Sequence, residues 1–279
     1  MSETPVAVIT GAGSGIGRSL AQLLDRRGYR LALNDWNEKT LEETRATLKG
    51  EVEHASFDVS KREAVEGFAS KVVQRFGRAD WVVNNAGVDL AQSIEKVSYE
   101  DFEWIMGINF WGVVYGTKAF LPTLLKQQSG VVVNVSSVFG LIAYKMHGTY
   151  CAAKFAVRGF TESLRYELRG TGVRAVCVHP GGIKTNIVRN ARFHAESGGI
   201  DHQEAASFFD RIAATSAEKA AETIARGVDA GRSRILIGSD AQVMDLSQRV
   251  LPVAYQSLFE KVGPKAKTRA QLEAQRKAR

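Results

Sequence analysis

The chain has 279 residues, of which 44% are hydrophobic and 24% charged, with a formal net charge of +7. That balance suits a water-soluble chain of one large or two small domains, and no apolar run reaches the roughly 18 residues that would read as a membrane-spanning helix. Seven basic side chains between Lys261 and Arg279 stand against one acid, Glu273, so the first 260 residues are close to neutral. A basic groove with stacking aromatics, as nucleic-acid binding requires, is absent from this pattern, and the tail reads as a solvated end. The two cysteines, Cys151 and Cys177, are too few for a disulfide framework and fit a reducing compartment. The start "MSETPVAVITG" does not read as a signal peptide, and a cytoplasmic location is expected.

Taken in order, seven β-branched runs read as strands: Val6–Thr10, Tyr29–Asn34, Val52–Phe57, Trp81–Asn85, Val131–Ser136, Val173–His179 and Arg234–Gly238. Several are apolar almost throughout, as strands covered on both faces are. Helical patterns lie between them; in Arg62–Phe76 the residues Val65, Phe68, Ala69, Val72, Val73 and Phe76 share one face. Alternating β and α predicts a single α/β domain over residues 1–260, built as a doubly wound, seven-stranded parallel sheet with helices on both faces. Residues 186–215 interrupt the alternation after the sixth strand and read as a substrate lid, with Gly198 and Gly199 as hinge points.

"ITGAGSGIG" joins the first strand to the first helix. Gly11, Gly15 and Gly17 allow a tight turn in which backbone N–H groups and the helix N-terminus meet a pyrophosphate. Asp35 ends the second strand 18 residues beyond Gly17, near the spacing at which a carboxylate accepts from the ribose 2′-OH of NAD. A carboxylate there repels the 2′-phosphate of NADP. No basic residue flanks it, and Ser14 occupies the loop position where one would help. Asp35 could also cap the next helix.

This ordered set resembles the short-chain dehydrogenase/reductase family, over about residues 5–240. The resemblance implies that the turn from Gly11 through Ser14, Gly15, Ile16 and Gly17 holds the cofactor. It further implies that Asp58 and Val59 of "FDVS" contact the adenine, and that Asn85, Ala86 and Gly87 of "NNAG" line the cofactor site. Pro180, Gly181, Ile183 and Thr185 of "HPGGIKT" would face the nicotinamide carboxamide. Asn109 in "GINFWG", a serine in "VNVSS" and Tyr150 and Lys154 in "YCAAK" match the family's catalytic residues. The family's serine usually precedes its tyrosine by thirteen positions, which selects Ser137 over Ser136. The implied activity is hydride transfer between a nicotinamide cofactor and an alcohol or ketone, in a homodimer or homotetramer joined through two long helices, here about 99–125 and 150–169.

A phenol with a pKa near 10 is a weak base at neutral pH. Lys154, one helical turn beyond Tyr150, is expected to favour the phenolate; Ser137 would donate to the substrate oxygen, and Asn109 would hold a water linking Lys154 to solvent. Lys154 would also hold the ribose hydroxyls. His54, His147, His179, His194 and His202 are scattered without ligand spacing, so no metal site is expected. Phe139, Leu141, Ile142, Tyr144, Met146, Phe193, Phe208 and Phe209 form a largely apolar set suited to a hydrophobic small-molecule substrate. His147 either lines that pocket or sits in a plain loop. The apolar stretch 241–262, interrupted by Pro252, packs on the domain, covers a subunit's site, or lies on a membrane surface beside the basic tail. NAD is the expected cofactor. An NADPH-preferring reductase is the alternative, and a cofactor-binding regulator a more distant one.

Overall fold

The central runs pair with neighbours on both sides because both of their faces are apolar and neither can be left to water, whereas the edge run from Val52 is only partly buried. A computed structural model describes residues 4–193 and 202–260. His194, Gly198, Gly199, the basic tail and the side chain of Phe193 lie outside the described residues. The strands are β1 (Val6–Thr10), β2 (Arg30–Asp35), β3 (Val52–Ser56), β4 (Trp81–Asn84), β5 (Gly130–Val135), β6 (Val173–Pro180) and β7 (Arg234–Ile237). All pairings are parallel, in the order β7-β6-β5-β4-β1-β2-β3. The predicted strands are all present, with ends shifted by a residue or so.

The helices are α1 (Gly15–Arg26), α2 (Glu38–Arg45), α3 (Arg62–Phe76), α4 (Tyr99–Met106), α5 (Gly112–Gln127), α6 (Gly148–Glu167), α7 (His202–Ile212), α8 (Ala217–Asp229), α9 (Ser239–Val250) and α10 (Tyr255–Glu260). Strand residues alternate between two cores. Ala7, Ile9, Leu31, Leu33 and Val133 join α1, α2 and α8 on one face. Val6, Val8, Ala32, Val82 and Val132 join α3, α5 and α6 on the other. Local chemistry sets the helix ends: Ser98 and Ser216 cap α4 and α8, and Gly77, at φ +74°, closes α3. Asn37, not Asp35, caps α2, by accepting from the Thr40 N–H; the carboxylate of Asp35 is turned back toward the glycine turn instead.

A buried polar chain crosses from sheet to helices. Asn84 Nδ2 donates to Asn134 Oδ1 at 2.8 Å and to Thr117 Oγ1 at 3.1 Å; Asn134 Nδ2 donates to Thr161 Oγ1 at 3.0 Å. It ties β4 and β5 to α5 and α6.

Within the expected lid, Arg192–Phe193 pairs with Leu90–Ala91, and the Arg192 guanidinium lies 3.7 Å from the Trp104 ring centroid while bonding Asp101. Thr215–Ser216 pairs with Ile183–Lys184. Pro252 falls between α9 and α10, as its missing N–H predicts. Only Ala241 and Tyr255 are buried in these two helices, and Val243, Leu246, Val250 and Leu258 stay exposed. The segment nonetheless docks by polar contacts: Tyr255 Oη accepts from the Ala143 N–H at 2.9 Å, and Asp240 Oδ2 accepts from the Gly182 N–H at 2.6 Å. No helix among the described residues is long and apolar enough to cross a membrane.

Asn84→Ala removes the donor shared by Asn134 Oδ1 and Thr117 Oγ1, leaving those two atoms only the long 3.5 Å bond between them. Urea denaturation is expected to show a loss of about 1–3 kcal/mol, the usual cost of an orphaned buried polar group.

Candidate active site

The strands are parallel, so their carboxyl ends lie along one edge, and the direction of winding reverses between β1 and β4. That reversal opens a crevice at the strand ends. Gly11 and Gly15 have φ of +67° and +52°. A Cβ on Gly17 would collide with the Gly11 carbonyl oxygen, and one on Gly11 would come within 2.9 Å of Ala86 and Asn85. Glycine is therefore required for the turn to lie flat against "NNAG". Thr10 Oγ1 accepts from the N–H groups of Asn85 and Ala86, while Asn85 Nδ2 donates to the carbonyls of Thr10 and Gly11.

The first turn of α1 carries no acidic side chain, and Ser14, exposed at its start, makes no cap bond. This leaves an N-terminus whose donors and partial positive charge suit a pyrophosphate. Thr185 stands 3.0 Å from where a Gly15 Cβ would be, which brings the Pro180–Thr185 segment against the phosphate turn. Ile183 is buried and Gly181 lies against Asp240. Ile16 packs partly buried on the core.

Asp35 accepts from the N–H groups of Gly13 and Asn37, which holds its carboxylate beside the turn with lone pairs left over. Arg18 is committed to Gly13 O, Thr40 O, Thr44 and Glu43. Asp58 accepts from the Ser60 N–H after β3, and Val59 is buried against Gly112.

The remaining candidates meet at the end of β5. A Cβ on Gly87 would lie 3.2 Å from Asn109 Oδ1 and 3.4 Å from Lys154 Nζ, so both side chains abut Gly87. Asn109 sits in a π-helical turn, Gly107–Trp111, between α4 and α5, a geometry frequent at functional sites. Its amide is spent on Val88, accepting at 2.8 Å and donating at 2.9 Å. The Ser137 hydroxyl lies beside the Tyr150 phenol and accepts from the Phe139 N–H. Ser136 instead donates to the Lys154 carbonyl and braces α6.

Lys154 is 3% exposed, and its Nζ donates to the Val135 carbonyl at 3.1 Å and lies 5.7 Å from the Tyr150 ring centroid. Burial drives its pKa down to about 8, against the opposing pull of Cys177 and Asp89. The Tyr150 phenol shifts upward rather than in the expected direction: burial dominates, the Asp89 charge adds to it, and the Ser137 hydroxyl opposes it. His179 is fully buried with Nδ1 on the Ser137 carbonyl, and burial lowers its pKa to about 4, so it stays neutral.

Leu141 and Ile142, expected to line the substrate pocket, belong to the core, with almost no exposed surface. Phe139 meets Tyr150 edge-on at 6.1 Å and stacks on Tyr144 at 5.5 Å. Sequence reasoning missed Asp89, a buried acid following "NNAG". Its only sequence signal is a charge in an otherwise apolar stretch. No cluster of metal-ligating groups occurs among the described residues.

Comparison with known proteins bears on this geometry. The family model for short chain dehydrogenase matches residues 5–196. A Mycobacterium tuberculosis protein named "Putative oxidoreductase SadH" is 46% identical over 262 residues, covering 92% of this chain and 94% of that protein. A short-chain dehydrogenase/reductase from Burkholderia phymatum, solved in complex with NAD, superposes with a TM-score of 0.80 at 28% identity, over 95% of this chain and 98% of that one. An alcohol dehydrogenase from Thermococcus sibiricus, complexed with 5-hydroxy-NADP, gives 0.71 at 29% identity, over 84% and 96%. The chain belongs to the short-chain dehydrogenase/reductase family and is an oxidoreductase of that family with the seven-stranded Rossmann-like sheet.

The buried lysine has a consequence for stability. At pH 7 folded and unfolded Lys154 are both protonated, and the folded chain bears the full burial penalty. As pH rises from about 8 to 10.5 the folded lysine sheds its proton before the unfolded one, so stability from this group increases. Lys154→Met is expected to be more stable than the wild type at pH 7, by on the order of 3 kcal/mol, with the gap closing across that window. Chemical denaturation at a series of pH values checks this.

Proposed function

We infer that this protein transfers a hydride between NAD(H) and a hydrophobic secondary alcohol or ketone. The observation that carries the reading is the convergence of Ser137, Tyr150 and Lys154 at one strand end, beside the glycine turn. When bound, the nicotinamide supplies hydride acceptance or donation. Gly11, Ser14, Gly15, Ile16 and Gly17 hold the pyrophosphate, Asp58 and Val59 the adenine, and Asn85, Ala86, Gly87, Pro180, Gly181, Ile183 and Thr185 the nicotinamide side. Tyr150 exchanges the proton of the carbinol oxygen, Ser137 donates to that oxygen, and Lys154 steadies the phenolate and holds the ribose hydroxyls. Asn109 contributes by clamping Val88, which keeps Gly87 against Lys154.

NAD is preferred because the carboxylate of Asp35 faces the phosphate turn and Arg18 is already engaged. Phe139 and Tyr144 give the substrate an aromatic wall. Trp111, Phe155 and Tyr166 are exposed large side chains on the two long helical stretches, which supports a homo-oligomer joined there.

Tyr150→Phe is expected to lower kcat by at least about 10²-fold, within the range of general acid–base catalysis, while leaving NADH affinity nearly unchanged. Fluorescence titration with NADH and an absorbance assay with a panel of hydrophobic secondary alcohols check both halves; a fully active variant defeats the assignment. Asp35→Ala is expected to shift the ratio of NADH to NADPH affinity toward NADPH by about tenfold or more, the loss of one like-charge repulsion. An unchanged ratio in calorimetry overturns the NAD preference.

A further inference from the structure

Asp89 is 7% exposed, yet the proposed reaction gives it no part. It follows β4 two residues after "NNAG", where one oxygen accepts from the Leu90 N–H at 2.8 Å. The other faces His147 Nε2 at 3.7 Å. His147 Nδ1 faces the Lys145 carbonyl at 3.1 Å. Both ring nitrogens thus look at acceptors, and only the imidazolium donates to both. Burial disfavours that cation, but the Asp89 carboxylate and the Lys145 carbonyl outweigh it, and the His147 pKa is raised. The His147 ring packs on Phe139 at 5.3 Å, and Phe139 in turn packs on Tyr150. His147 also precedes α6 by one residue and its carbonyl accepts from Cys151, so it sits at the root of the helix that carries Tyr150.

We propose that Asp89 and His147 form an opposed charge pair, joined to Tyr150 through Phe139, that sets how readily Tyr150 gives up its proton. This rests on Tyr150 being the acid–base group. The two are positioning residues: they act through Tyr150 and touch no reacting atom. The carboxylate alone favours the neutral phenol, which suits proton donation to a ketone. The imidazolium cancels that field and eases formation of the phenolate that alcohol oxidation needs.

The other groups around the pair act differently. Ser137, after β5, lies beside the phenol, and Cys151 and Lys154 lie on α6 itself. Tyr144 packs on His147, while Glu260, from α10, acts on Tyr144 rather than on Tyr150. Cys177, on β6, acts on Lys154. Among the described residues only Asp89 places a full negative charge on the phenol.

The test is a set of pH profiles of kcat/KM for oxidation of cyclohexanol with NAD, in wild type, Asp89→Asn, His147→Gln and the double variant. A second readout is the ultraviolet titration of tyrosinate in each NAD-saturated background, minus its Tyr150→Phe counterpart. Asp89→Asn is expected to move the acid limb and the tyrosinate midpoint down by about one pH unit, the size of one nearby charge. His147→Gln moves both up. In the Asp89→Asn background His147→Gln moves neither, because an imidazole that has lost its carboxylate partner no longer holds the charge that opposed it. An unshifted limb with lower kcat marks a merely structural role and overturns the proposal. So does a His147→Gln shift of equal size in both backgrounds. If Asp89→Asn fails to fold, Asp89→Ser retains an acceptor for the Leu90 N–H and replaces it. If the wild type oxidises no alcohol, the functional reading fails, and the tyrosinate midpoints alone decide whether the pair controls Tyr150.

Discussion

Two amide side chains that cannot reach water hold this protein's candidate chemistry in place. Asn84 and Asn134 sit side by side on adjacent strands, and their hydrogen bonds to each other, to Thr117 and to Thr161 bind the sheet centre to both long helices. An orphaned amide in that interior costs more than the bond contributes when made, so the arrangement is close to all-or-none. Gly116 is part of the same constraint, because a Cβ there would collide with Asn84 Oδ1. With α5 and α6 held at one height, Asn109 at the head of one and Lys154 near the head of the other arrive at Gly87 together.

The site is also where burial and charge oppose each other most strongly. Lys154 is buried with a carbonyl as its named partner, and Tyr150 is buried beside Asp89, so each of the two groups is pushed toward its neutral form. At neutral pH the phenol is protonated and the lysine still carries its charge, with a pKa brought close to that pH. Outside this edge the strands bury mainly Val, Ile and Leu, with the Cys177 thiol of β6 held protonated by burial. Perturbed groups clustering where several backbones converge is the pattern that separates a reactive site from an ordinary polar core.

The sheet was legible in the sequence because its central strands bury both faces and therefore read as short apolar runs, and its parallel, doubly wound character followed from the βα alternation. The glycine turn was legible because positive φ and close approach leave a composition trace. Asp35 was legible in position but not in company: its second-best role, capping α2, went to Asn37, two residues on, since the carboxylate turns toward Gly13. Leu141 and Ile142 were misread because an apolar residue looks the same in a pocket wall and in a core. The raised proton affinity of Tyr150 was hidden for a different reason. It depends on Asp89, 61 residues away in sequence, and on burial that no local pattern encodes. Spacing along a helix revealed the lysine as a neighbour and was silent about the carboxylate.

Three segments from the last third of the chain anchor loops at the carboxyl edge of the sheet. Tyr255 of α10 anchors the Ala143 backbone, in the loop that also carries Phe139, Tyr144 and His147. Asp240 of α9 anchors Gly182, between Pro180 and Thr185. Arg192 and the two-residue strand it begins anchor the residues just past Asp89. Three anchors from the last third of the chain therefore grip three loops that follow β4, β5 and β6, each by a backbone hydrogen bond or ion pair rather than by apolar burial. Such contacts fix the position of a loop backbone without demanding a particular apolar surface around it.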